Sequence, residues 1–162
     1  MNLGVIPGRL NSNRFPRKII YPLNGKAIIE HVYDNAKESK YLDKLIIAID
    51  SEETKSHISN SCDTMFTSSE HKSGTDRVAE VSEKINSDIV VNIQGDEPVI
   101  DPDSIEQIVQ LYKSSGGKYE VYNLYKIIAD QNEVNSNTIV KTAVNESDEV
   151  MCMSRTSCAL LN

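Results

Sequence analysis

The basic residues of this chain concentrate in one loop near its start, directly after a short apolar run. The segment from Gly8 to Lys18 carries four cationic side chains and no acidic one: Arg9, Arg14, Arg17 and Lys18. The whole chain has a net charge of -7, so this loop is opposite in sign to the rest. Such a loop predicts a site for an anion with several charges, and a nucleoside triphosphate is the obvious candidate. A solvated basic loop is the alternative, whereas a signal peptide is not favoured because no apolar h-region follows.

The turn from Gln94 to Pro98 provides the second candidate group, because it follows another apolar run and contains Asp96 and Glu97. A carboxylate can hold the magnesium that neutralises phosphate charge, so Asp96 and the basic loop would together supply both signs. The equal alternative is that Asp96 belongs to a Gly-Asp turn and that Glu97 is merely exposed. The basic loop is neither a Walker A sequence nor a dinucleotide-binding fingerprint, because it has a single glycine and no Lys-Ser/Thr pair.

Other polar residues are weaker candidates. The backbone amides of Ser73, Gly74 and Thr75 open a predicted helix and could hold an anion or the edge of a base. A plain helix cap is the equal alternative for them. Ser12 and Ser73 have no nearby His-Asp pair, so a hydrolase triad is unsupported. The three histidines lack metal-ligand spacing and are predicted to be surface or capping residues: His31, His57 and His71.

Alternating apolar patterns predict the elements that must position these groups. Three short apolar runs are typical of buried parallel strands: Leu3 to Ile6, Leu45 to Ile49 and Ile89 to Ile93. Helical spacing falls between and after them, at 27–39, 52–60, 73–85 and 102–112. This alternation predicts an α/β fold, mainly a parallel sheet with helices on both faces. The basic loop and Asp96 should then share one edge of the sheet, where ligands bind in such folds.

The last third of the sequence is richer in strand patterns. Three further strands are predicted there, as mixed or antiparallel additions at one side of the sheet: Val121 to Ile128, Thr138 to Val144 and Val150 to Ser154. The 162 residues fit a single domain, 1–162, that can bury a core.

Composition narrows the classes of function. A sequence pI near 5.0 argues against a general nucleic-acid binder. No apolar run is long enough to predict a membrane span. The three cysteines have no metal-site spacing, so we expect core thiols in a reducing, cytoplasmic compartment: Cys62, Cys152 and Cys158.

Four segments of the sequence resemble one known family. The runs IPGRLNSNRFPRK, NGKAIIEHVY, EHKSGTDRVAE and VNIQGDEPVI are similar, in this order, to the 3-deoxy-manno-octulosonate cytidylyltransferases, the CMP-Kdo synthetases. The resemblance covers residues 3 to 112 and is looser over 121–155. The CMP-sialic acid synthetases share the first loop in outline, but SGTDR and NIQGDEP favour the Kdo branch.

The resemblance implies a Rossmann-like three-layer nucleotidyltransferase fold and a set of functional residues. The phosphates of CTP would be bound by the first loop, through Gly8, Arg9, Ser12, Arg14 and Lys18. Cytidine would be held by Ser73, Gly74 and Thr75, and Gln94 would line the site between nucleotide and sugar. Asp96 would bind Mg²⁺ and act in catalysis with Arg9 and Lys18. The reaction would join CTP and Kdo into CMP-Kdo, with release of pyrophosphate, for lipopolysaccharide biosynthesis.

The sequence departs from the family pattern at three places. Gly8 replaces a usual alanine, and Arg17 replaces a usual glycine beside Lys18. The family continues beyond the point that corresponds to Asn162, with a portion that supplies a second metal carboxylate, much of the Kdo pocket and part of a dimer contact. We therefore expect these 162 residues to bind CTP but to catalyse poorly. Activation of a related acidic sugar, or a truncated nucleotide-binding module without activity, are the alternatives.

Overall fold

The computed structural model describes residues 1–10 and 15–156, and the chain falls into two units, Met1–Tyr122 and Asn123–Asn162. Its strands in chain order are β1 (Asn2–Gly8), β2 (Pro22–Leu23), β3 (Lys26–Ala27), β4 (Lys44–Ile49), β5 (Thr64–Phe66), β6 (Ile89–Asn92), β7 (Lys141–Val144) and β8 (Val150–Ser154). Its helices are α1 (Ile28–Lys37), α2 (Glu52–Ser56), α3 (Gly74–Lys84), α4 (Pro102–Ser114) and α5 (Gln131–Asn135), with a 3-10 turn at Lys18–Ile20. None of the helices in the described ranges is long and apolar enough to cross a membrane.

The sheet of the first unit contains four parallel strands in the order β5-β4-β1-β6. Val5 of β1 lies opposite Ile46 on one side and Asn92 on the other. The three strands predicted from apolar runs are therefore confirmed as parallel neighbours in one sheet. Because parallel strands end at the same edge, the loops after β1 and β6 leave the sheet side by side.

Alternating side chains of the central strands build a core on each face of the sheet. Ile47 packs with Ile29 and Val32 of α1 on one face, and Ile46 packs with Val78 and Val81 of α3 on the other. This period of two is what strands buried on both faces require. The predicted α/β architecture with helices on both faces is thus confirmed.

Local sequence signals set where the helices begin. Asp101 caps α4 and Pro102 occupies its first turn, as the sequence predicts. Ser73 and Asp76 form a reciprocal capping box at α3, with aspartate in place of the more usual glutamate. The predicted helix over 52–60 is shorter and ends at Ser56. Few apolar side chains of this helix can pack against the core, so the helix is limited to five residues.

The described part of the second unit differs from the prediction. Strands β7 and β8 pair antiparallel with each other as a separate two-stranded sheet, so the prediction that they extend the main sheet is wrong. The predicted strand over Val121 to Ile128 is also wrong, because no strand is formed there. This run has β-branched and aromatic residues but, within the described residues, no neighbouring strand to pair with. Propensity alone does not make a strand.

Candidate functional site

An ion pair joins the loop after β1 to the turn after β6. The Nζ atom of Lys18 lies 2.7 Å from Oδ2 of Asp96, and the two side chains are 35% and 45% exposed. The prediction that the basic loop and Asp96 share one edge of the sheet is confirmed. A pair this exposed contributes little to stability. Both groups therefore remain accessible to a polar ligand.

Two glycines allow the segments of this edge to approach each other at Pro7. A Cβ atom on Gly95 would lie 2.8 Å from the carbonyl oxygen of Pro7, which is closer than real side chains come. A Cβ atom on Gly74, at the start of α3, would lie 3.2 Å from Cγ of Pro7. The end of β1 is thereby flanked by the Asp96 turn and by the start of α3.

Two arginines of the basic loop have different partners. Nη1 of Arg9 donates a hydrogen bond to the carbonyl oxygen of Lys72, at 3.2 Å. Arg17 adopts a left-handed backbone with φ of 62° and pairs with Glu53 of α2. Its guanidinium thus binds α2 instead of adding charge beside Asp96. Two further predicted phosphate ligands, Ser12 and Arg14, lie outside the described residues.

The start of α3 is a satisfied helix cap. The amide of Asp76 donates to Oγ of Ser73, and the amide of Ser73 donates to Oδ2 of Asp76. Hydrogen bonds to the Asp76 carboxylate from the side chain of Ser73, and then from its amide, lower the pKa of Asp76 below its usual value. The interpretation of Ser73 as a helix cap thus has direct geometric support. Gly74, Thr75 and Gln94 are exposed.

Behind this helix start lies a buried polar cluster that the sequence reasoning missed. Arg77 is 1% exposed, and its Nη2 donates to Oδ2 of Asp50 at 3.2 Å. It also donates to Oγ1 of Thr67. Burial lowers the pKa of Arg77, and the neighbouring Asp50 partly offsets this. Because Asp50 follows β4 and Thr67 follows β5, the cluster ties α3 to both strand ends.

The signal for this cluster was available in the sequence. Arg77 stands beside Val78 and four residues before Val81, on the apolar face of a predicted helix. A charged residue on such a face requires a buried partner. What the sequence did not provide was the identity of that partner.

Glu80, on the next turn of α3, collects three donors. Its Oε2 accepts hydrogen bonds from the amide of Ser68 at 2.8 Å and from Nε2 of His71 at 2.6 Å. Its Oε1 accepts from Nζ of Lys84 at 2.6 Å. These three hydrogen bonds, that from Lys84 first, lower the pKa of Glu80 to about 2. His71, predicted as a surface or capping residue, instead fastens the loop before α3.

The described residues contain no group of three or more His, Cys, Asp or Glu side chains placed to hold a metal ion together. Asp96 is the carboxylate that contacts Lys18 at the sheet edge. Magnesium commonly uses one or two carboxylates together with substrate phosphates and water, so Asp96 is compatible with such an ion. In the second unit a cavity of about 690 Å³ is lined mainly by apolar residues between Asn123 and Met153.

Comparison with known proteins gives a consistent result. A family model described as cytidylyltransferase matches residues 3–160. The 8-amino-3,8-dideoxy-manno-octulosonate cytidylyltransferases of Shewanella frigidimarina and Shewanella amazonensis are each 36% identical over 155 residues. The match covers 93% of this chain and 63% of each relative, so the chain spans less than two thirds of their length.

Solved structures agree with the family match. The structure of CMP:2-keto-3-deoxy-manno-octonic acid synthetase complexed with CTP superposes with a TM-score of 0.86 and 27% identity, over 99% of this chain and 66% of that one. A cytidylyltransferase from Leptospira borgpetersenii, with a TM-score of 0.62 and 23% identity over 72% of this chain and 50% of its own, shares the fold. On the match over residues 3–160, this chain belongs to the cytidylyltransferase family.

Proposed function

We propose that this chain binds CTP at the carboxyl edge of its sheet and that it transfers the cytidylyl group, with poor turnover, to a 3-deoxy-manno-octulosonate sugar, Kdo. The observation that carries the proposal is the 2.7 Å pairing of Lys18 with Asp96. Phosphate chemistry needs a cation for the phosphates and a carboxylate for the metal at one place. A reducing, cytoplasmic location is part of the proposal, because the spacing of the cysteines fits neither a disulfide framework nor a metal site.

Each candidate residue has a proposed role. Lys18 and Arg9 bind the phosphates of CTP, together with Gly8, Ser12 and Arg14 of the same loop. The start of α3, Ser73 to Thr75, holds the cytidine, and Gln94 lies between nucleotide and sugar. These roles are supported by the convergence of the three segments at Pro7.

Asp96 is the proposed ligand for Mg²⁺, with the remaining positions left to phosphate oxygens and water. When bound, the ion supplies charge neutralisation of the phosphates. Lys18 pairs with Asp96, and we expect Lys18 to exchange this carboxylate for phosphate as CTP binds. An exposed pair is suited to such an exchange because little stability is lost when it opens.

The proposed reaction is attack of the anomeric hydroxyl of the sugar on the α-phosphorus of CTP, with pyrophosphate as the leaving group. The protein contributes positioning and charge neutralisation and forms no covalent bond itself. The relatives named above for the 8-amino sugar make that compound the second candidate acceptor.

Binding tests the nucleotide part of the proposal. We expect wild-type chain to bind CTP more tightly than ATP in isothermal titration with Mg²⁺. Lys18→Ala should weaken the binding of CTP by about 1–3 kcal/mol, the range for a charge-assisted hydrogen bond. Lys44→Ala, which removes an exposed lysine at the start of β4 and thus at the opposite sheet edge, is the matched control and should leave affinity unchanged. Equal affinity in the Lys18 variant and wild type would remove Lys18 from the site.

Turnover tests the rest. Pyrophosphate release should be followed with CTP and Mg²⁺, once with Kdo and once with the 8-amino sugar, beside a full-length relative. Release with one sugar alone identifies the acceptor. CTP binding without release from either would instead support a nucleotide-binding module, and the absence of both binding and release would refute the proposed function.

A further inference from the structure

Arg9 contacts the loop that precedes α3. The carbonyl oxygen that accepts its hydrogen bond belongs to Lys72, in the segment Ser68 to Ser73 between β5 and α3. The orientation of the Arg9 guanidinium therefore depends on where this segment, here called the Lys72 loop, is placed.

Glu80 fixes the Lys72 loop at two points. A single oxygen, Oε2, accepts from the Ser68 amide at the start of the loop and from the His71 ring beside Lys72. A carboxylate only accepts, so Nε2 of His71 carries the donated hydrogen. The other oxygen, Oε1, accepts from Lys84 and is not the acceptor in either of these two hydrogen bonds to the loop. The side chains of His71 and Glu80 are both half-buried, at 22% and 20% exposure.

The far end of the loop is fixed separately by the Ser73 cap, and its near end by Thr67, whose amide and hydroxyl both donate to the carbonyl of Ile49. Between these ends, Glu80 holds the segment whose Lys72 carbonyl meets Arg9. This chain of contacts runs from α3 to the basic loop without touching Lys18 or Asp96.

We propose that Glu80 is a positioning residue of the nucleotide site, which holds the Lys72 loop so that the Lys72 carbonyl orients Arg9 toward the phosphates. The proposal rests on the proposed function, because Arg9 is taken to bind CTP. It differs from a purely structural role in one respect: the effect of Glu80 on CTP must pass through Arg9.

A double-mutant cycle tests this requirement. CTP dissociation constants are measured for wild type, Arg9→Ala, Glu80→Ala and the double variant. We expect Glu80→Ala to weaken CTP about tenfold, as for loss of one hydrogen bond to a charged group. In the Arg9→Ala background, Glu80→Ala should weaken CTP binding less than about twofold, because the effects of substitutions within one network of contacts are not additive. Equal losses in both backgrounds, or no loss in either, would overturn the proposal.

Two variants control the cycle. Lys84→Ala removes the partner of Oε1 but not the loop contacts, and should change CTP affinity less than about twofold on the same reasoning. Glu80→Gln keeps one acceptor oxygen and should retain most of the affinity. If Glu80→Ala does not fold, His71→Ala, which removes one of the two loop contacts to Oε2, takes its place in the cycle, with the same outcomes supporting or overturning the proposal.

A ligand-free measurement separates this proposal from the proposed function. The Nε–Hε signal of Arg9 in ¹⁵N-arginine-labelled protein is assigned by its loss in Arg9→Ala. We expect it to shift and sharpen in Glu80→Ala and to stay in place in Lys84→Ala. A shift in a protein that does not bind CTP would retain the contact and refute the nucleotide site, whereas an unmoved signal would overturn the positioning role.

Discussion

The two units of the chain bury different kinds of side chain. Among the described residues, every fully buried apolar side chain lies between Leu3 and Val109, in the first unit. In the described part of the second unit the side chain buried to that degree is Lys141, 7% exposed. The first unit is thus stabilised by apolar burial, while the second depends on hydrogen bonds and on partly covered apolar groups.

A buried cation in each unit makes the contrast specific. Arg77 in the first unit faces the carboxylate of Asp50 and the hydroxyl of Thr67. Lys141 in the second faces three carbonyl oxygens, of Ser136, Ile139 and Arg155. One charge is neutralised by an opposite charge, and the other is solvated by backbone dipoles. A buried cation can therefore organise structure in either way, but the cost of removing its partner should differ.

The largest effect is expected where a charge loses its counter-charge. Asp50→Ala should destabilise the first unit by about 3–5 kcal/mol, because Arg77 would remain buried and uncompensated. Urea unfolding followed by circular dichroism measures the change. Asp63→Ala, at an exposed position before β5, should stay within about 0.5 kcal/mol. A loss below 1 kcal/mol for Asp50→Ala would mean that Arg77 is solvated by water after all.

The second largest effect compares apolar burial in the two units through the same substitution, isoleucine to alanine. Ile47→Ala, at a fully buried position of β4, should cost about 2–5 kcal/mol through lost burial and a cavity. Ile127→Ala, at a position 80% exposed, should cost no more than about 0.5 kcal/mol. Both changes in the free energy of unfolding are measured from the denaturant midpoints, provided that the m-value stays constant. Similar losses at the two positions would show that Ile127 is covered in solution.

A smaller, local effect is expected at Lys141. Lys141→Met keeps an unbranched side chain, one atom shorter, but removes the donor to three carbonyls, so β7 and β8 should open more easily by about 1–3 kcal/mol. Amide hydrogen exchange resolves this, with faster exchange in β7 and β8 and unchanged protection in β1 and β4. Loss of protection in both sheets would contradict a local effect of Lys141.

The smallest effect concerns thiol chemistry. Burial, reinforced by Glu30, raises the pKa of Cys62, whereas Cys152 in the second unit is only half-buried. In a Cys158→Ser background at pH 8, we expect a thiol reagent to label Cys152 first and Cys62 only after denaturation. Labelling of Cys62 at the rate of Cys152 would indicate frequent opening of the first unit. Cys158 lies outside the described residues.

The sheet edge was predictable from the sequence because its logic is local. The apolar runs before Gly8 and Gln94 identify two strands, and parallel pairing then brings Lys18 and Asp96 together without knowledge of any side-chain contact. The helix caps at Ser73 and Asp101 were predictable for the same reason, since each bonds within three residues.

The polar contacts behind the edge were not predictable, because they join residues far apart in sequence. Asp50 and Arg77 are 27 residues apart, and the Arg9–Lys72 contact spans 63. The predicted strand from Val121 to Ile128 was wrong because its composition favours a strand, whereas strand formation also needs a pairing partner that composition does not supply.

The contact of Gly95 with the Pro7 carbonyl also limits which mutations position 95 can accept. Every single-base change in a glycine codon that alters the amino acid introduces a residue with a Cβ atom, and such an atom would collide with backbone here. Relief would require the Asp96 turn to move away from the end of β1, and with it the carboxylate that pairs with Lys18. In a saturation library of this gene, even alanine at codon 95 should be depleted as strongly as large residues, so no gradual route leads away from glycine.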